Sequence, residues 1–153
     1  MRLIINSDYD KCSRWAADYV AYKIKVSRPT QEKPFVMAIP AGSSPVGMFK
    51  RLIELFKKGK VSFQHVVFFN LNEYVGLSAE NQHSFSHFLW DNFFQHIDIK
   101  KQNIHLLNGE TKDFAKECTA YEKLIRSYGG IDLLIAGVGE DGHIAFNEPG
   151  SSL

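Results

Sequence analysis

Between Gly137 and Pro149 the chain reads Gly-Val-Gly-Glu-Asp-Gly-His-Ile-Ala-Phe-Asn-Glu-Pro, which brings two carboxylates and an imidazole close together at Asp141, His143 and Glu148. A carboxylate beside a histidine fixes its tautomer, so His143 could move protons near neutral pH while Asp141 or Glu148 orients it. The alternative is solvated loop charge. The same glycines formally fit a dinucleotide-binding pattern, but that pattern needs a helix, a second strand and an acidic ribose partner ~20 residues on. Only 11 residues follow Gly142. The glycines are therefore read as a tight turn over a small ligand.

A second candidate is Gly42-Ser43-Ser44-Pro45, a turn of small residues feeding a helix. Free backbone N–H groups and the helix dipole favour an anion such as phosphate at such a terminus, and two hydroxyls add donors. The spacing and lysine of a Walker loop are missing, so a nucleoside triphosphate is not implied. A plain capped helix start is the competing reading. His83 and His87, with Glu80 and Asp91 nearby, have a metal-compatible spacing but no third firm ligand, and no metal is expected.

These loops need elements to hold them. Residues 2–5, 35–39, 66–69, 103–107 and 131–136 read as five short strands, alternating with helix-period segments. The first helix has an apolar face of Cys12, Trp15, Ala16, Tyr19, Val20 and Ile24. In the second, Ser44 is expected as N-cap and Pro45 at the first position, with Met48, Phe49, Leu52, Ile53 and Phe56 on one face and Gly59 past its end. Phe85, Phe88, Leu89 and Phe93 mark a third helix, and Phe114, Cys118, Tyr121, Leu124 and Ile125 a fourth, stopped by Gly129-Gly130. The alternation argues an α/β fold with a mostly parallel, doubly wound sheet and helices on both faces, which binds ligands outside the carboxyl ends of its strands. The loops after the second, third and fifth expected strands are the ones that matter. No crossover helix follows the fifth strand before Leu153, so residues 1–153 are expected to be a single, incomplete domain, the N-terminal part of a larger α/β design.

Eighteen Lys and Arg against seventeen Asp and Glu leave a net charge of +1, which supplies no field for nucleic acid or an anionic membrane. No apolar run approaches the ~20 residues of a membrane span, and the N-terminus is too short for a signal peptide. A cytoplasmic protein with a small-molecule partner is expected. Two cysteines, Cys12 and Cys118, make no disulfide framework and are expected in the core.

Taken together, the 137–149 stretch, Asn72-Glu73-Tyr74-Val75-Gly76-Leu77 and Pro40-Ala41-Gly42-Ser43-Ser44-Pro45 strongly resemble the glucosamine-6-phosphate deaminase family. Trp15-Ala16-Ala17, Val61-Ser62-Phe63, Trp90-Asp91-Asn92-Phe93-Phe94 and Ser127-Tyr128-Gly129-Gly130 extend the resemblance along the chain. It implies a modified Rossmann-like fold, a homo-oligomer (a hexamer in many members), no cofactor, and conversion of glucosamine 6-phosphate and water to fructose 6-phosphate and ammonia, formally a hydrolase. It implies that His143 accepts a proton in sugar-ring opening with Asp141 and Glu148 completing the set, and that Gly42, Ser43 and Ser44 bind the phosphate. Ser151 matches a position that helps bind the activator N-acetylglucosamine 6-phosphate in regulated members.

Two residues depart from the pattern. The family has Met-Asp-Glu-Tyr where this chain reads Leu71-Asn72-Glu73-Tyr74, so Asn72 stands in place of the base that moves the C2 proton. A carboxamide holds a hydroxyl but accepts no proton at physiological pH. Ala41 replaces the usual Thr of the phosphate loop, at about 1 kcal/mol of binding if that hydroxyl is used. Family members also continue well beyond the length of this chain. A non-catalytic sugar-phosphate binder or interaction subunit is therefore a second expectation, and a 6-phosphogluconolactonase-like hydrolase a third.

Overall fold

Continuous apolar runs can be buried on both faces of a sheet only if helices cover both, and the computed structural model, which describes residues 2–151, is built this way. In chain order the elements are α1 (Tyr9–Ser27), β1 (Phe35–Ile39), α2 (Val46–Lys57), β2 (Val66–Asn70), α3 (Phe85–Asn92), β3 (Ile104–His105), α4 (Phe114–Ser127) and β4 (Leu133–Leu134). The four strands form one parallel sheet in the order β3-β2-β1-β4. Phe35 pairs with Val66 and Ile39 with Asn70, so β1 and β2 end level and deliver their following loops side by side.

Alternation along the strands divides the core. Phe35, Met37, Ile39, Val66 and Phe68 face α1, α2 and α3, meeting Val20, Ile24, Phe49, Leu52, Leu89 and Phe93. Val36, Ala38, Val67 and Phe69 face the other way, against Tyr121, Leu124, Ile125 and Tyr128 of α4 and its end. On the first face Phe49 stacks on Phe93 at 4.8 Å between centroids, and Phe63 and Phe68 meet Phe93 edge-on at 5.5 and 5.6 Å. Asp8, Ser84 and Asp113 cap α1, α3 and α4 by accepting from the amides of Lys11, His87 and Lys116. Among the described residues no helix is long and apolar enough to cross a membrane.

Several sequence expectations are corrected. Residues 2–5 form no strand, and Leu3 and Ile5 are 77% and 84% exposed. An apolar run becomes a strand only where an edge offers hydrogen bonds, and none among the described residues pairs with it. The sheet therefore has four strands here, and the expected strands at 103–107 and 131–136 shorten to two residues each. Cys12 and Cys118 are exposed rather than packed in the core. On α1 the buried stripe is Ser13, Ala17, Val20 and Ile24, leaving Trp15 to stack on Tyr19 at the surface. Val20 and Ile24 are buried as expected, whereas Ser13 takes the place of bulkier neighbours because α1 lies close against α2, where a Cβ on Gly47 would collide with Ser13. Finally, α2 begins one residue later than expected, with Pro45 in the cap position and no side-chain cap.

Candidate functional site

The loops after β1, β2 and β4 meet at the carboxyl end of the sheet and enclose a cleft of about 250 Å³. Ala41, Ser44, Asn72, Phe85, His143 and Phe146 are among its walls. Three residues singled out from the sequence, Ser44, Asn72 and His143, thus line one space. Gly42 and Ser43 belong to the same loop as Ser44 without lining it, and Asp141 and Glu148 cluster with His143 without lining the space either. Ser151 is exposed outside the cleft, its N–H donating to the Glu148 carbonyl at 3.0 Å.

His143 is held from several directions. Its Nδ1 lies 2.6 Å from Asp141 Oδ1, and its backbone N–H donates to the same oxygen at 3.1 Å. Ionised Asp141 can only accept, so Nδ1 carries the proton and Nε2 presents a lone pair. Ligand atoms of Asp141, His143 and Glu148 all lie within 4.8 Å of one another. The Gly139 N–H donates to the His143 carbonyl at 2.9 Å, and a side chain on Gly139 would strike the imidazole. That requirement, close passage of backbone over a ring, is what this glycine supplies.

The two bonds from His143, the backbone N–H first and the ring second, hold the Asp141 carboxyl below its ordinary value. A depressed folded value means that the pair's contribution is complete above the ordinary aspartate range and fades as pH falls through the lowered value. The side-chain carboxyl carbon of Asp141 is therefore expected to titrate at lower pH than that of an ordinary aspartate. In Asp141→Asn no such acid transition remains, and NMR titration of the two proteins checks it.

Asn72 sits in a segment fixed by Asn70, which the sequence alone does not single out, and by its neighbour Glu73. Asn70, buried at the end of β2, donates from Nδ2 to the Asn72 carbonyl at 2.9 Å. Its Oδ1 accepts from the Leu107 N–H at 3.0 Å and lies 2.8 Å from the Tyr121 hydroxyl. A polar residue closing a buried apolar run was the signal available for it. Glu73 folds back onto the start of α3, where Oε1 accepts from the amides of Tyr74 and Phe85 and Oε2 from the amide and hydroxyl of Ser86, at 2.6–2.9 Å. This carboxylate at a helix N-terminus leaves no oxygen for the cleft. Glu73→Gln is expected to lower unfolding stability by about 1–3 kcal/mol, since an amide puts one NH2 against these donors, and urea midpoints measure it.

On the loop after β1, Gly42 adopts φ +102°. The N–H groups of Gly42, Ser43 and Ser44 donate to no backbone or side-chain group of the described residues. His83 and His87, whose spacing is metal-compatible, are placed apart in role. His83 lies in a turn ahead of α3, and His87 is paired with Asp91 at 3.0 Å.

The parallel α/β sheet thus carries a cleft with an amide-rich turn on one side and a carboxylate-oriented histidine on the other. Residues 7–150 match the family described as glucosamine-6-phosphate isomerases/6-phosphogluconolactonase, and the chain belongs to that family. Over all 153 residues it is 62% identical to the glucosamine-6-phosphate deaminase of Phocaeicola vulgatus and 63% identical to that of Bacteroides thetaiotaomicron. The chain spans 58% and 57% of the length of those two relatives. Its structure is similar to a monomeric glucosamine-6-phosphate deaminase, with TM-score 0.92 and 37% identity over 99% of this chain and 61% of the other. A 6-phosphogluconolactonase from Plasmodium vivax shares the fold, with TM-score 0.74 and 19% identity over 93% of this chain and 50% of the other.

Proposed function

We propose that the cleft binds glucosamine 6-phosphate and that the chain is built for its conversion to fructose 6-phosphate and ammonia, with the C2-proton step impaired by Asn72. The observation that carries this reading is the meeting of Ser44, Asn72 and His143 in one cleft, in a chain so similar to proteins named glucosamine-6-phosphate deaminase. The free amides and hydroxyls of Gly42, Ser43 and Ser44 suit the phosphate. The Nε2 lone pair of His143 takes the C1 hydroxyl proton as the sugar ring opens, with Asp141 holding the imidazole and Glu148 completing the set. The following step moves the C2 proton to C1 and leaves an imine at C2, which water attacks to release ammonia. That step needs a base where Asn72 stands. The net use of water would make the reaction formally hydrolytic.

The same reading places the protein in the cytoplasm, without a cofactor, and assigns Ser151 to an activator site for N-acetylglucosamine 6-phosphate in a homo-oligomer, a hexamer by the family's habit. A specific observation favours a second reading, a sugar-phosphate binder without turnover. Asn72 lacks a basic lone pair, and Glu73 is fully committed to α3. Both readings require binding. Calorimetric titration is expected to show saturable binding of glucosamine 6-phosphate and none of NAD, and absence of any sugar-phosphate binding would remove both.

A further inference from the structure

The turn that faces the cleft has no cap of its own. Pro45, at the cap position of α2, contributes no side-chain hydrogen bond, and no serine of the loop replaces it. The missing contact comes from 38 residues upstream: the Gly47 N–H donates to the hydroxyl of Tyr9, at the start of α1, at 2.9 Å. The same hydroxyl donates to the Ser44 carbonyl at 3.0 Å and lies 3.4 Å from the Ser43 carbonyl. Gly47 is what admits the ring, because a Cβ there would collide with Tyr9 and Ser13.

We infer that Tyr9 is a positioning residue for the phosphate-binding turn, an inference that rests on the sugar-phosphate reading above. Carbonyl oxygens of residues 43 and 44 would repel a phosphate; the Tyr9 proton holds the Ser44 carbonyl toward α1, and the Ser43 carbonyl, which accepts from the Val46 N–H at 3.3 Å, lies on the same side. A trans peptide points its C=O and N–H to opposite sides, so the Ser43 carbonyl, turned toward the Val46 N–H and the Tyr9 hydroxyl, leaves the Ser44 N–H aimed away from Tyr9, while the bond to the Ser44 carbonyl anchors the next peptide of the turn. The phenol also satisfies the Gly47 N–H, one of the otherwise open donors of the helix start. The turn is thus set before ligand arrives, and the ordering cost is not taken from binding.

Tyr9→Phe keeps the ring that packs on Gly47 and removes only the hydroxyl. It is expected to weaken calorimetric binding of glucosamine 6-phosphate by about three- to tenfold, the loss of one or two neutral hydrogen bonds. It is also expected to speed exchange of the Gly47 amide, with the urea midpoint showing that the fold persists. Tyr22→Phe, which removes another exposed phenol of the same helix, is the control and is expected to change neither. In an Asn72→Asp background, Tyr9→Phe should raise KM while leaving kcat nearly unchanged, a split that loss of folded protein does not produce. Equal binding by Tyr9→Phe and the unchanged chain overturns the role of Tyr9 and leaves the sugar-phosphate site standing. Failure of the unchanged chain itself to bind overturns the site and the role together.

Discussion

Asn72→Asp raises ammonia release from glucosamine 6-phosphate by about 10²–10⁴-fold at equal folded concentration, the range that a positioned general base contributes. Asn72 and His143 line the same cleft, so a carboxylate at 72 enters a space already shared with the imidazole. The replacement is nearly isosteric. The backbone at 72 is held through its own carbonyl by Asn70, a bond that the side-chain change leaves intact. Asparagine fails as a base because its nitrogen lone pair is delocalised and its oxygen is only a hydrogen-bond acceptor. Glu73 does not substitute, since turning it into the cleft would strip three donors at the start of α3, and the Tyr74 amide, of their acceptor. A rate unchanged by Asn72→Asp would place the C2 base elsewhere.

His143→Gln, made in the Asn72→Asp background, lowers turnover of the closed-ring sugar by about 10²–10⁴-fold while calorimetric affinity changes little. Nε2 presents the lone pair because Asp141 fixes the proton on Nδ1. Glutamine keeps polar atoms in the cleft wall but has no basic nitrogen. The proposed phosphate contacts lie on another loop, the turn after β1, so binding and proton transfer are expected to separate. An equal fall in affinity and rate would mean that His143 holds the substrate rather than opening its ring.

How much of this was legible in the sequence differs from element to element. The bounds of β1 and the burial of β2 follow from unbroken apolar runs, and the helix order follows from spacing and glycine stops. The 137–149 loop was readable because its chemistry is local: Asp141 reaches His143 two residues away. What was not legible depends on a partner distant in sequence. Residues 2–5 have strand composition but no edge to join. Cys12 and Trp15 fit an apolar stripe, yet α1 turns Ser13 inward because α2 approaches at Gly47. Likewise Asn70, Glu73 and Tyr9 look unremarkable in one dimension, and each acts through groups 12 to 51 residues away.

The most direct measurement follows the C2 proton itself. Glucosamine 6-phosphate is incubated in deuterium oxide with the unchanged chain and with Asn72→Asp, and deuterium at C2 is read by NMR. Binding without C2 exchange in the unchanged chain, and exchange in Asn72→Asp, is the expected pair of results. Equal C2 exchange in both proteins would contradict the assignment of the missing C2 base to residue 72.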